Sequence, residues 1–162
     1  MKARNLMKTK LLMLLALVST PTFAATKTGD WTLDGSQAYT VDKSGYGVLA
    51  KVFITSDTKP AVGFTAYDPS CTGFSDEIFD MPIQLVDDQP IRFQSQCVDR
   101  SSRLLMAAYV TGNDFIVDRF KRGKEVSFTK PGSNYVFTYS AVGFTKSYEA
   151  VELIAKLSEY AL

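Results

Sequence analysis

Between residues 46 and 140 the apolar positions recur in short runs broken by clusters of Gly, Pro, Asp, Asn and Ser. Residues 46–55 (YGVLAKVFIT) and 61–67 (AVGFTAY) flank Ser56-Asp57-Thr58-Lys59-Pro60, a loop of hairpin length. Residues 83–86 and 91–98 flank a second turn cluster, Asp87-Asp88-Gln89-Pro90. In the latter run Ile91, Phe93 and Ser95 alternate with Arg92, Gln94 and Gln96, the period of a half-buried strand, which puts Cys97 on the apolar face. Residues 103–110 form another run, interrupted by Thr111-Gly112-Asn113-Asp114. The clearest hairpin pairs 125–129 with 135–140 across Lys130-Pro131-Gly132-Ser133-Asn134.

Residues 114–121 fit two elements. Phe115, Ile116 and Phe120 share one side of a short helix capped by Asn113 and ended by Gly123, and a strand fits as well. The last segment changes period: Phe144, Tyr148, Val151, Ile154, Leu157 and Ala161 recur at spacings of three and four. This predicts an amphipathic helix over residues 145–160 with Thr145 as its N-cap. Its polar face mixes Glu149, Glu152 and Glu159 with Lys146 and Lys156, so the apolar stripe is expected to pack on a sheet, not a membrane. Gly143 permits a tight entry into that helix, with Phe144 plugging the core beneath it. No internal repeat, low-complexity tract or interdomain linker interrupts the pattern. The predicted fold is mainly β: a single antiparallel β-sandwich or open barrel with a C-terminal amphipathic α-helix.

The first 24 residues read differently. Lys8 and Lys10 precede an apolar run at 11–18, then Pro21 and the exit Thr22-Phe23-Ala24. A basic start, a short apolar stretch and small residues at −3 and −1 are the parts of a secretory signal peptide cleaved after Ala24, and Met7 would serve equally well as the start. The run is too short to span a bilayer. Removing it leaves 138 residues, enough for one β-rich domain over 25–162, with 14 basic against 17 acidic groups and a net charge of −3. A mildly acidic chain has no global attraction to nucleic acid or to anionic membrane. The expected location is periplasmic or secreted, and the expected state, with no coiled-coil heptad, is a monomer or weak dimer.

An oxidising compartment gives the two cysteines a simple role. Cys71 and Cys97, with no CxxC motif and no His partner, are expected to form one structural disulfide. The absence of His removes Ser-His-Asp and Cys-His catalysis, His-ligated zinc and His-based switching together. Carboxylate chemistry survives, but no cofactor or metal motif is present, and the chain is not expected to be an enzyme.

Three groups of residues are candidate sites. Arg119, Lys121, Arg122 and Lys124, with Lys130 beyond the next strand, concentrate positive charge in an acidic chain and suit an acidic partner. Asp76, Glu77 and Asp80, with Asp87 and Asp88 on the following turn, are the carboxylates that calcium or a glycosidase pair would need, without a D-x-D-x-D-G loop. Among the aromatics, Trp31, near the mature N-terminus, Tyr39 and Tyr46 are the candidates for an exposed binding platform, whereas Phe53, Phe64, Phe93 and Phe137 sit inside strand patterns and read as core.

The order of features also carries a resemblance. Gly29-Asp30-Trp31 sits just after the leader, one Cys lies in each of two central segments, and Phe120, Gly123, Val126 and Phe128 precede Tyr139-Ser140-Ala141-Val142-Gly143-Phe144-Thr145 and a closing helix. This is similar to the invasion-associated locus B family of exported bacterial proteins, chiefly over residues 97–155. The chain departs from that family in having no Cys between Thr32 and Thr40 and no Gly-Cys pair around Cys97. The resemblance implies a periplasmic or surface β-domain engaged in host-cell interaction, with no catalytic residues to carry over. The expected function is that of a non-enzymatic exported binding protein with a protein or envelope-glycan partner. Two alternatives stand beside it: a periplasmic inhibitor or immunity protein acting against a toxin or cell-wall hydrolase, and a carboxylate-dependent glycan hydrolase or glycan-binding module.

Overall fold

The computed structural model describes residues 25–160; the expected leader at 1–24 and Ala161 of the helical stripe lie outside them. Within that span the chain runs β1 (Thr26–Thr28), β2 (Trp31–Asp34), β3 (Gln37–Val41), β4 (Leu49–Ile54), β5 (Pro60–Tyr67), β6 (Phe79–Asp80), β7 (Gln84–Val86), β8 (Gln89–Ile91), β9 (Phe93–Cys97), β10 (Ser102–Ala107), α1 (Val110–Arg122), β11 (Glu125–Thr129), β12 (Val136–Ser140) and α2 (Phe144–Tyr160). The strands form two antiparallel sheets, neither closed into a barrel: β1-β2-β3-β4-β5-β10-β9-β6 and β12-β11-β7-β8. The mainly β architecture with a C-terminal helix is as the sequence predicts.

The hairpins read from turn chemistry are present, with β4 on β5 and β11 on β12 in register. The run at 91–98 behaves differently. Its first residue, Ile91, pairs with β7 in the small sheet together with Gln89 and Pro90 of the expected turn, while Phe93–Cys97 pairs with β10 and β6 in the large one. The chain changes sheet at Arg92, whose carbonyl accepts the Ala108 N–H at 2.9 Å. Alternation is continuous through the change, because Ile91, Phe93, Ser95 and Cys97 are all buried, so the period carries no trace of it.

The core lies where both sheets and both helices meet. Phe64 of the large sheet stacks on Phe128 of the small one at 4.2 Å between centroids, with Phe93 and Tyr139 beside them. The ambiguous segment is helical. α1 starts at Val110, one turn before the expected cap, and Tyr109 holds the N-cap position without a side-chain hydrogen bond. Asn113 is therefore inside the helix, and its side-chain oxygen accepts the Val62 N–H of β5 at 2.9 Å. Ile116, Val117 and Phe120 face inward and Gly123 ends the helix as expected.

α2 begins at Phe144, and the Ser147 N–H donates to the Gly143 carbonyl at 3.1 Å. Gly143, not Thr145, therefore stands at the helix entry. Phe144, Ser147, Val151 and Ala155 are the buried positions. Tyr148 and Ile154 are half-buried and Leu157 is exposed, so the stripe read from sequence runs off the sheet in the last turns.

The helix entry also explains the two motifs flanking the fold. Gly143 has φ +93° and its α-carbon lies so close to the Thr28 carbonyl that a β-carbon would sit 1.8 Å from the oxygen; Gly29 approaches Val142 in the same way. Asp30 donates its N–H to Val142 at 2.9 Å, and the Trp31 indole N–H donates to Ser140 at 2.9 Å. Gly-Asp-Trp and the stretch at 139–145 are thus one packing unit closing the molecule. The same contacts seal the β12 edge: Trp31, the Lys43 N–H (2.7 Å to Thr138) and the Ser44 hydroxyl (2.9 Å to Val136) occupy its outward carbonyls.

Candidate functional site

Cys71 and Cys97 form the expected disulfide, with α-carbons 5.5 Å apart. It anchors a segment known from the sequence only for its carboxylates, Asp76, Glu77 and Asp80. From Cys71 the chain runs along the β9 edge: the Ser75 N–H donates to Cys97 (3.1 Å), the Gln96 side chain donates to Ser75 (2.7 Å), β6 pairs with β9, and the Met81 N–H donates to Phe93 (3.0 Å). The base is held by Asp68, whose carboxylate accepts the Ser70 hydroxyl at 2.6 Å, the Ser70 N–H at 2.9 Å and Arg103 Nε at 2.5 Å. The Arg103 guanidinium also lies over the Phe79 ring, 5.7 Å from its centroid.

With its backbone committed to the sheet edge, this segment turns its side chains outward. Phe74 (67% exposed), Ile78 (52%), Phe79 (43%) and Ile83 (44%) lie within ten residues. Sealing an edge needs backbone groups and does not call for four large apolar side chains in water. Each forgoes part of the roughly 1.5–3 kcal/mol that full burial would contribute. Surfaces of this kind are where partners dock. A sequence signal existed: FSDEIFDMPI places five large apolar residues within ten positions, interleaved with Asp76, Glu77 and Asp80.

The Asp68 arrangement has a pH signature. The Ser70 hydroxyl, then Arg103 and the Ser70 N–H, lower the Asp68 pKa to about 2 from 3.8. A depressed carboxylate stabilises the fold above the unfolded value, and that contribution is lost as pH falls through the folded value. Melting temperature followed from pH 5 to 2 is therefore expected to fall less steeply for Asp68→Asn than for wild type. Parallel profiles would mean that Asp68 is not tied to Arg103 and Ser70 in solution.

The basic group at the end of α1 is largely engaged. Arg119 Nε binds the Asp87 carboxylate at 2.7 Å, Arg122 binds Asp118 one turn earlier at 2.6 Å, and the Lys121 ammonium lies 4.6 Å from the Tyr148 ring centroid. Lys124 and Lys130 are exposed, with no ion pair among the described residues. Cations in the last turn also suit the negative end of the helix dipole. Burial raises the Asp87 pKa, but the Ser127 N–H, Arg119 and the Ser127 hydroxyl together bring it below the usual value. The acidic set accordingly splits. Asp87 is a strut between α1 and the small sheet, Asp88 is exposed on the β7–β8 turn, and Asp76, Glu77 and Asp80 lie exposed on the disulfide-anchored segment. Among the described residues no group of three or more Asp, Glu, Cys or His is placed to hold a metal ion.

The aromatic candidates also separate. Trp31, expected to be exposed, instead has no exposed surface, because its ring packs edge-on against Phe120 of α1 and Phe144 of α2. Tyr39 is half-buried at the rim of a shallow groove shared with Lys27, Thr32 and Lys43. Tyr46 is exposed and packs edge-on against Tyr135 and Phe137; the buried Asp42 carboxylate holds its loop by accepting the N–H groups of Tyr46 (3.1 Å) and Val48 (2.8 Å).

A cleft of about 480 Å³ lies beside Tyr109 where the β4–β5 turn, β10, α1 and α2 converge. Its carboxylates are Asp57, Asp114 and Glu152, none of them in the set read from sequence. Asp57 is bonded to Thr55 and lies near Lys59, and Glu152 pairs with Lys156 at 3.4 Å. A glycosidase needs two carboxylates facing one sugar, one as acid and one as base or nucleophile; here Asp114 alone of the three has no such partner among the described residues. No helix among the described residues is long and apolar enough to cross a membrane. No family model, curated protein or solved structure matches the chain.

Proposed function

We propose that this is an exported, non-enzymatic binding protein that engages a partner protein of the bacterial envelope or of a host surface through the disulfide-anchored segment. The observation that carries the reading is the set Phe74, Ile78, Phe79 and Ile83, exposed on a backbone already fixed by a disulfide, an edge strand and the Asp68–Arg103 pair. A surface fixed before binding loses little conformational entropy when a partner covers it. The leader-like start and the similarity to the invasion-associated locus B family support the same class of role, as does the oxidising environment that a disulfide requires.

The test compares capture from envelope or host-surface extract by the oxidised wild type and by Phe74→Ser/Phe79→Ser. A partner retained by the wild type and lost by the double variant, with melting temperatures within a few degrees of each other, is the expected result. Equal capture by both proteins would remove this surface from the function.

A further inference from the structure

Asp76, Glu77 and Asp80 are interleaved with the four exposed apolar residues, and none is in an ion pair among the described residues. Asp68, Asp87, Asp118 and Glu125 each bind an Arg or Lys within 3 Å, whereas Asp34, Asp88 and Glu149, like the three carboxylates here, are in no ion pair among the described residues but lie apart from this apolar face. Arg103, whose guanidinium lies over Phe79, is already bound to Asp68. The apolar face therefore carries three exposed carboxylates that no ion pair among the described residues neutralises.

Resting on the binding role proposed above, we infer that this face docks a cationic amphipathic polypeptide segment, with apolar side chains against Phe74, Ile78, Phe79 and Ile83 and Lys or Arg against Asp76, Glu77 and Asp80. Charge decides between occupants. An anionic lipid surface would be repelled by the three carboxylates. A two-fold pairing with a second copy would set the same carboxylates against each other. A basic segment gains apolar burial and neutralises these carboxylates in one step.

The probe is a labelled twelve-residue peptide of alternating Leu and Lys, with a Leu/Glu peptide of the same pattern as control, titrated against the oxidised protein by fluorescence anisotropy at low and high salt. The Lys peptide is expected to bind at least about tenfold more tightly than the Glu peptide, since three exposed charge pairs together reach that scale. High salt should narrow the gap. Asp76→Asn/Glu77→Gln/Asp80→Asn is expected to abolish most of the preference, and Phe74→Ser/Phe79→Ser to weaken binding of the Lys peptide about tenfold. A charge-matched control, Asp34→Asn/Asp88→Asn/Glu149→Gln, should change neither.

Equal affinity for the two peptides, or equal losses in the loop and control charge variants, would overturn the inference. So would a segment-dependent dimer in sedimentation equilibrium, because a second copy would then be the occupant. The two levels fail separately. Extract capture that is lost in Phe74→Ser/Phe79→Ser but indifferent to the three neutralised carboxylates leaves the binding role and removes the cationic partner. Capture indifferent to both variants removes the binding role at this surface.

Discussion

Replacing Trp31 by Ala is expected to destabilise the fold by about 3–5 kcal/mol, the usual scale for truncating a fully buried aromatic residue. Trp31 has no exposed surface, meets Phe144 at 5.1 Å and Phe120 at 5.4 Å edge to face, and donates its indole N–H to Ser140 at 2.9 Å. The variant would leave a cavity between β2, α1 and α2, and would strip the buried Ser140 carbonyl of its donor. Trp31→Phe keeps a ring and loses the donor, so a smaller loss is expected. Urea unfolding followed by far-UV circular dichroism is the appropriate measurement, because Trp31 is the sole tryptophan and its own fluorescence disappears with the mutation. An unchanged midpoint for Trp31→Ala would mean that the ring faces solvent, the role that an exposed platform would require.

Removing the disulfide is the other large perturbation. Cys71→Ala/Cys97→Ala is expected to cost about 2–5 kcal/mol, with about 3 kcal/mol from closing a loop of this length in the chain-entropy view. The cysteines are 26 positions apart in sequence. The β9–β10 pairing and the aromatic core do not depend on the bond, so the far-UV spectrum should be retained. The loss should be local in a second sense. Amide exchange over residues 72–83 is expected to accelerate more than elsewhere, because Ser75, Phe79 and Met81 hold the segment by only a few hydrogen bonds once the covalent anchor is gone. Identical denaturant midpoints for the oxidised protein and the double variant would show that the bond adds nothing to stability.

The candidate surfaces were legible to different degrees. Tyr46 is exposed, as expected of a residue at the start of a strand run, and the disulfide is the pairing expected of two cysteines with no CxxC motif. The basic residues near the end of α1 are visible as a group, but their engagement is not. Asp87 is 32 positions from Arg119, and Tyr148 is 27 positions from Lys121. Of the segment at 74–83 the carboxylates were visible and the apolar surface was not, because periodicity identifies elements that bury one face, and Phe74, Ile78, Phe79 and Ile83 are exposed.

What depends on neighbours along the chain could be read from sequence: strands β4, β5, β11 and β12, the turns around 56–60 and 130–134, and the closing helix. Adjacent side chains alternate or spiral according to the local backbone, so the period of burial is written locally. Tertiary structure decided which strand meets which, and therefore what each exposed position faces. It moved Phe93–Cys97 to the other sheet from Gln89–Ile91 with no break in alternation. It drew Asn113 into a helix to satisfy Val62, 51 positions away, and buried Trp31 by joining it to Ser140 across 109 positions. Those outcomes rest on contacts between residues far apart in the chain, whose free energy no local pattern records.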